Sequence, residues 1–242
     1  MKQSTFIRKL IKPVIVIAII LALIYYFRLF FTTGINYDDT FLMRESKSTE
    51  TIYSGSNTYG DLKITVQGVK NQDSSAKVIY QLPNDIYQVY TVEFKVPSDW
   101  EEGIQGIRDE DGTLVFEGDY DLDNHYLIEK NGELFFQYNG RVLIIDENLY
   151  GDNYEINLTN VVDLVYSSLE TIRGNYALLL PSIVFFVFVI IDYKFPLFFF
   201  YSKHCFDVKD PEPSDMYLFL QRVGWFLYPT IGIVLMIAAL IF

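Results

Sequence analysis

The densest group of chemically capable side chains is acidic. Asp109, Glu110 and Asp111 are followed by Asp119, Asp121 and Asp123 at alternate positions. A calcium loop takes oxygen ligands at its first, third and fifth positions, and Asp119-x-Asp121-x-Asp123 resembles the start of one. The sixth position is Asn124 where such a loop has glycine, the later acid Glu129 falls one place early, and no helical pattern flanks the run. A solvated acidic turn accounts for the same residues, and Asp111-Gly112 is itself a turn signal. Histidine offers little. His125 falls in an expected strand, and His204 and Cys205 are adjacent rather than at the spacing of zinc ligands. The sequence has no Gly-x-Ser-x-Gly, phosphate loop or His-Glu-x-x-His. The expectation is a protein that is not an enzyme and has no cofactor. An enzyme with a cryptic or shared site is the alternative.

Two other charged residues matter because of where they lie. Asp192 ends one long apolar stretch and Arg222 stands just before another. A lone charge at the centre of a bilayer costs roughly 2.5–3.5 kcal/mol, and less near its surface. Arg222 is therefore expected to pair with Asp192 or with an acid of the Glu212–Asp215 turn, or else to snorkel to the headgroups.

Three apolar stretches position these residues. They cover roughly Pro13–Phe31, Tyr176–Tyr193 and Val223–Phe242. A bilayer core of about 30 Å takes roughly 20 residues of helix. Transmembrane helices are expected at 13–33, 176–193 and 217–242. The first follows Lys2, Arg8, Lys9 and Lys12 with no acid among them, and no small-residue cleavage site follows it. It reads as an uncleaved signal anchor. Basic residues collect on the cytoplasmic side of short loops. Residues 1–12 and the loop 194–216 are accordingly expected inside, and residues 34–175 and the C-terminus outside. The expected location is the cell membrane, multi-pass.

The region from Gly34 to Tyr176 carries 10 Lys+Arg and 26 Asp+Glu, a formal −16, against −12 for the whole chain. So acidic a domain disfavours nucleic acid and anionic lipid. Its expected partners are the bilayer itself and proteins of the membrane or envelope. The single cysteine, Cys205, allows no disulfide within that domain, and this leans towards a bacterial source.

Residues 34–159 read as a β domain. Leu62, Ile64 and Val66 alternate with polar neighbours, as do Tyr90, Val92, Phe94 and Val96. Lys77–Leu82 and Thr113–Gly118 look like further strands. Asn131-Gly132 and Asn139-Gly140 each lie between apolar runs and predict a three-stranded meander over Tyr126–Asp146. With two-residue loops, Lys130 faces Glu133, Ile128 faces Phe135 and Leu127 meets Phe136. Both faces of the middle strand would then be apolar. That predicts a two-layer, sandwich-like packing. Val161, Val165, Leu169 and Ile172 lie on one helical face, so a juxtamembrane helix is expected over 160–174, capped by Asn160 and ended at Gly174. The fold class is α+β.

The stretch Ile190–Ile233 resembles a small bacterial two-helix membrane module of uncharacterised function. Such a module has a first helix ending near a proline, a basic segment, an acidic Glu-Pro-Ser-Asp turn and a second helix opening Tyr-Leu-x-x-x-Arg-x-Gly. The matching positions are Pro196, Lys209, Asp210, Glu212, Pro213, Ser214, Asp215, Tyr217, Leu218, Arg222 and Gly224. Trp225 stands where the module has a second glycine. The resemblance implies architecture and no chemistry. Asp192, Glu212, Pro213, Ser214, Asp215, Arg222 and Gly224 are the candidate interaction or structural residues. The expected function is a membrane-anchored binding or interaction protein. The alternative is an accessory or sensory subunit that couples the outer domain to the cytoplasmic turn.

Overall fold

The computed structural model describes residues 2–68, 74–95, 103–137, 149–151, 154–204 and 211–241. The chain divides into two compact units, one of residues 1–32 and 172–242, the other Thr33–Thr171.

The first unit is helical. It holds α1 (Lys2–Phe30), α3 (Tyr176–Lys194), α4 (Phe198–His204) and α5 (Asp215–Ile241). Three stretches are long and apolar enough to cross a membrane: Ile11–Phe30, Tyr176–Lys194 and Asp215–Ile241. α3 and α5 form an antiparallel hairpin. Gly232 lets the helices approach, with Phe186 where a β-carbon would stand 3.0 Å from its ring. Phe185 and Phe188 both pack on Tyr228. α1 shows exposed side chains from Ile11 to Tyr25 and joins the hairpin at its C-terminal end. There Tyr26 donates to the Met236 carbonyl, Gly174 N–H to that of Phe30, and Asn175 N–H to that of Ala239. Phe30 is fully buried at this junction.

The second unit is an antiparallel meander. Its strands are β1 (Thr33–Tyr37), β2 (Thr40–Ser46), β3 (Glu50–Asn57), β4 (Gly60–Gln67), β5 (Ser75–Leu82), β6 (Ile86–Phe94), β7 (Ile104–Arg108), β8 (Leu114–Asp121) and β9 (Tyr126–Glu129). They lie side by side in chain order, and the two-residue β10 (Thr171–Ile172) precedes β1 in the sheet. Period-two burial is clear in β5, where Ala76, Val78, Tyr80 and Leu82 face inward. No second sheet completes a sandwich among the described residues. The sheet instead curls around α2 (Leu158–Tyr166), whose Leu158, Val161, Val162 and Leu164 are buried. α2 packs on β5 and β6, Tyr166 reaches Phe94 of β6 and Tyr120 of β8, and Tyr53 of β3 bonds Glu170 just beyond it. Tyr37 of β1 lies 6.0 Å from Tyr80 of β5 across three intervening strands, which a flat sheet would not allow.

Three local expectations are corrected. The helix expected over 160–174 is α2, which starts and ends earlier. Asn157, not Asn160, caps it by accepting from Thr159 N–H, and Ser167 ends it in the left-handed region with φ 56°. The chain then passes through β10 before α3, so no continuous helix enters the second span. The Asn131-Gly132 hairpin has a three-residue loop. Gly132 N–H bonds the Glu129 carbonyl, Glu129 N–H bonds that of Glu133, and Gly132 has φ 85°. A type I turn followed by a left-handed glycine shifts the register by one residue. Ile128 therefore pairs with Leu134, and Leu127 bonds Phe135. Phe135 turns into the core against Phe116, whereas Phe136 is exposed. The second turn of the expected meander, Asn139-Gly140, lies outside the described residues.

Candidate functional site

Helix geometry decides what the hairpin's charged residues meet. Asp192 is buried near the C-terminal end of α3. Its Oδ1 accepts from Gln221 Nε2 at 2.9 Å and its Oδ2 from Trp225 Nε1 at 2.7 Å. Gln221 and Trp225 are four residues apart and share one face of α5. Tyr228 and Gly232 continue that face towards α3. Arg222 stands about 100° around the helix from Gln221. It is exposed and makes no ion pair with a described residue. The expected Arg222–Asp192 pair does not form, and neither Glu212 nor Asp215 replaces it. Two neutral donors take both carboxylate oxygens instead. Ser214 caps α5, its Oγ accepting from Tyr217 N–H at 3.2 Å, with Pro213 just before it and Asp215 in the first turn. Gly224 is buried beside Tyr228 of its own helix. Lys209, Asp210 and Cys205 lie outside the described residues.

The alternate aspartates do not converge. Asp119 Oδ2 pairs with Lys95 at 2.8 Å, and its Oδ1 accepts from Tyr120 N–H. Asp121 turns onto its own loop, accepting from the N–H groups of Asp123 and Asn124 and from Asn124 Nδ2. These bonds, led by the Asn124 side chain, hold the Asp121 carboxyl below its ordinary pKa. Asp123 is exposed. Among the described residues no three His, Cys, Asp or Glu side chains gather as a metal would need.

Two polar assemblies escaped sequence reading. The first surrounds Asp163 of α2, which is buried at 3% exposure. Tyr120 OH, His125 Nδ1 at 2.8 Å and Ser168 Oγ at 2.7 Å all reach its Oδ1. With a carboxylate as acceptor, each of the three groups donates. Burial, followed by the bond to Asp163, raises the Tyr120 pKa, so its phenol stays a neutral donor. His125 reaches inward from a residue with φ 58°, its side chain still 45% exposed. This assembly ties the β8–β9 turn to the core helix.

The second assembly gathers at one end of the sheet. A meander places the β1–β2, β3–β4 and β5–β6 turns together there. Asp38 and Asp39 hold φ 44° and 57° in the first turn, and Asn84 and Asp85 hold φ 59° and 58° in the third. Asp and Asn tolerate this region better than other residues with a β-carbon. Tyr150 packs on Tyr59 and on Tyr154, with centroids 5.8 and 5.0 Å apart. Tyr37 and Tyr154 share a bond of 2.9 Å, and Tyr154 OH donates to Asp38 Oδ2. Since that bond uses the Tyr154 proton, Tyr37 is the donor to Tyr154. Burial first, then the neighbouring Tyr37 and Asp38, raises the Tyr154 pKa far above its ordinary value. Asn84 Nδ2 donates to the Tyr150 carbonyl at 2.6 Å and fastens the turn to the 149–151 segment. Between them lies an open cavity of about 450 Å³, lined by Asn84, Asp85, Ile86, Tyr87, Gln88, Tyr150, Gly151 and Tyr154. That volume suits a small ligand.

Residues 182–239 match a family of unknown function, DUF6199. The match takes in most of α3, α4 and most of α5, with Asp192, Gln221 and Trp225 inside it, and it includes no strand of the sheet. No curated protein matches the chain. No solved structure matches it.

Proposed function

We propose that this chain is a non-enzymatic binding protein of the bacterial cell membrane. Its β domain lies outside the cytoplasm and recognises a ligand or partner through the groove beside the β5–β6 turn. The observation that carries this reading is the groove's construction. Tyr150 and Tyr154 form part of its lining, and the Asn84–Tyr150 bond fixes its rim before anything binds. The Asp163 assembly supports the non-enzymatic part of the reading: Tyr120 OH lies 3.2 Å from His125 Nδ1, but both groups give their protons to the Asp163 carboxylate, as Ser168 does, so the histidine is not placed to take a proton from either hydroxyl.

Site-specific photocross-linking in native membranes tests the reading. A benzophenone amino acid replaces Tyr87 at the groove or, as control, Lys63 on the exposed side of β4. The expected result is a defined adduct from position 87 and none from position 63. Equal adducts from both, or none from position 87, would overturn it. An impermeant amine reagent applied to intact cells checks the orientation: it should label Lys63 and spare Lys194.

The matched hairpin favours a second reading, an accessory or sensory subunit. A buried carboxylate held by two neutral donors is a costly arrangement within a membrane helix pair, and such groups commonly serve assembly or coupling. Loss of a co-purifying partner on Asp192→Leu, with the chain still inserted, would support it. Unchanged co-purification would count against it.

A further inference from the structure

We infer that the groove beside the β5–β6 turn takes an organic ammonium group. This rests on the binding-protein reading above and names its ligand class. Among the described residues the groove lining includes three tyrosines, one aspartate and no lysine or arginine. Tyr87 is exposed at its edge, and Tyr150 and Tyr154 are held in place by each other and by Tyr37. A tyrosine face attracts a cation through its ring quadrupole, and the attraction grows where water is excluded.

Charge supports the same occupant. The Asp85 carboxylate lines the groove itself. A meander also places Asp38, Asp39, Asp109, Glu110 and Asp111 in turns at this end of the sheet. Of the nearby cations, Arg108 is committed to Glu93 at 2.9 Å and to the Gly112 carbonyl at 3.0 Å. The domain as a whole carries 10 Lys+Arg against 26 Asp+Glu. An anion would enter against this field, and a neutral ligand would leave the Asp85 charge without a counterpart. Asn84, Gln88 and the phenols supply neutral hydrogen-bonding groups around the rest of a small molecule. Burial, with Tyr37 and Asp38 adding to it, keeps the Tyr154 phenol protonated.

The test uses the full chain in dodecyl maltoside at physiological salt, with isothermal titration of two probes. Choline represents quaternary ammonium and cadaverine primary ammonium, with sodium chloride at matched ionic strength as the blank. The expected result is saturable one-to-one binding of at least one probe, with a Kd below about 5 mM. Asp85→Asn tolerates the same left-handed backbone and removes the charge, and it should weaken binding about tenfold. Tyr87→Leu should weaken it about fivefold. Glu133→Gln, an exposed acid at another turn, should change nothing. Heats equal to the salt blank for both probes would overturn the proposal, as would a Kd unmoved by Asp85→Asn and Tyr87→Leu. If position 87 gives an adduct in membranes while neither amine binds or competes with it, the ammonium assignment fails and the binding-protein reading stands.

Discussion

Asp163→Ala is the most informative perturbation of the β domain. It removes one oxygen on which three donors converge. Tyr120 is 7% exposed and Asp163 3%, so the Tyr120 hydroxyl would lose its charged acceptor with little access to water, keeping only a 3.2 Å contact with His125 Nδ1. A buried donor left unsatisfied costs about 1–3 kcal/mol, at the higher end when the lost acceptor was charged. Ser168 is half-buried and its hydroxyl also lies 3.1 Å from the Asp163 carbonyl, so its loss is smaller. His125, with 45% of its side chain exposed, can rehydrate. The total is about 3–5 kcal/mol, a large share of the roughly 5–15 kcal/mol that holds a domain folded. Thermal unfolding of the full chain in detergent, followed by near-ultraviolet circular dichroism of the tyrosines, should show a midpoint lower by roughly 10–20 °C. A double-mutant cycle isolates the cause. Tyr120→Phe alone should cost about 1.5–3 kcal/mol, because Asp163 loses a donor. In the Asp163→Ala background it should cost about 0.5 kcal/mol or less, because only the 3.2 Å contact with His125 Nδ1 is left to lose. The coupling should therefore exceed about 1 kcal/mol. Additive effects, or an Asp163→Ala cost below about 1 kcal/mol, would refute the reasoning.

Other perturbations have different physical origins. Gly118→Ala and Gly132→Ala should separate sharply: a β-carbon at Gly118 would stand 2.0 Å from the Ile128 carbonyl oxygen and break the β8–β9 ladder, whereas one at Gly132 meets nothing within 4 Å. Gly132→Ala should cost only the left-handed backbone, about 1–2 kcal/mol, while Gly118→Ala should abolish the cooperative transition of the β domain. Gly174→Ala should loosen the helical unit, because its β-carbon would lie 2.2 Å from the buried Phe30 ring, and titration with sodium dodecyl sulfate should detect a loss of more than about 1 kcal/mol. In the same assay Trp225→Phe and Gln221→Leu should each cost about 1 kcal/mol through Asp192, and Arg222→Gln close to nothing. The depressed Asp121 pKa makes a pH prediction. Its bonds to Asn124 support the turn fully at neutral pH, and that support fades as pH falls through the lowered value. The Asn124 amide resonance should titrate below the ordinary aspartate range, and Asp121→Asn should remove that inflection.

Local pattern was readable where burial itself is local. Val78, Tyr80 and Leu82 alternate in sequence because one face of β5 is core, and Leu62, Ile64 and Val66 do the same in β4. The Asn131-Gly132 register was not readable, because that dipeptide fits a two-residue loop and also a three-residue loop with glycine last. The choice falls to tertiary packing: the observed register puts Phe135 against Phe116. Asn157 and Asn160 are equally good caps on sequence grounds. Capping by Asn157 places Leu158, Val161 and Leu164 together on the concave face of the sheet. The curl of that sheet joins Tyr37 to Tyr80 and Tyr120 to Asp163, pairs separated by more than forty positions, so alternation alone could not suggest it.

The two sites differ in how far a sequence could disclose them. The Asp192 partners were accessible in principle. On α5 the residues 221, 225, 228 and 232 recur at spacings of four, three and four, so they form a stripe able to face a neighbouring helix. Gln221 and Trp225 are the donors on that stripe nearest the turn, and Arg222 is rotated off it into the exposed arc with Val223 and Phe226. Charge alone points to Arg222, whereas helical angle points to Gln221 and Trp225. The tyrosine groove has no such linear trace. Tyr37, Tyr59, Tyr80, Tyr150 and Tyr154 read individually as apolar strand or loop residues. Only curvature brings their hydroxyls and rings to one end of the sheet. Each buried phenol there must find a partner or remain unpaired, and the Tyr37–Tyr154–Asp38 relay solves that for two of them while leaving the Tyr80 hydroxyl without a partner among the described residues. A core assembled mainly for packing would favour phenylalanine at a position such as Tyr80. Tyr80→Phe should accordingly leave the β domain as stable or slightly more so.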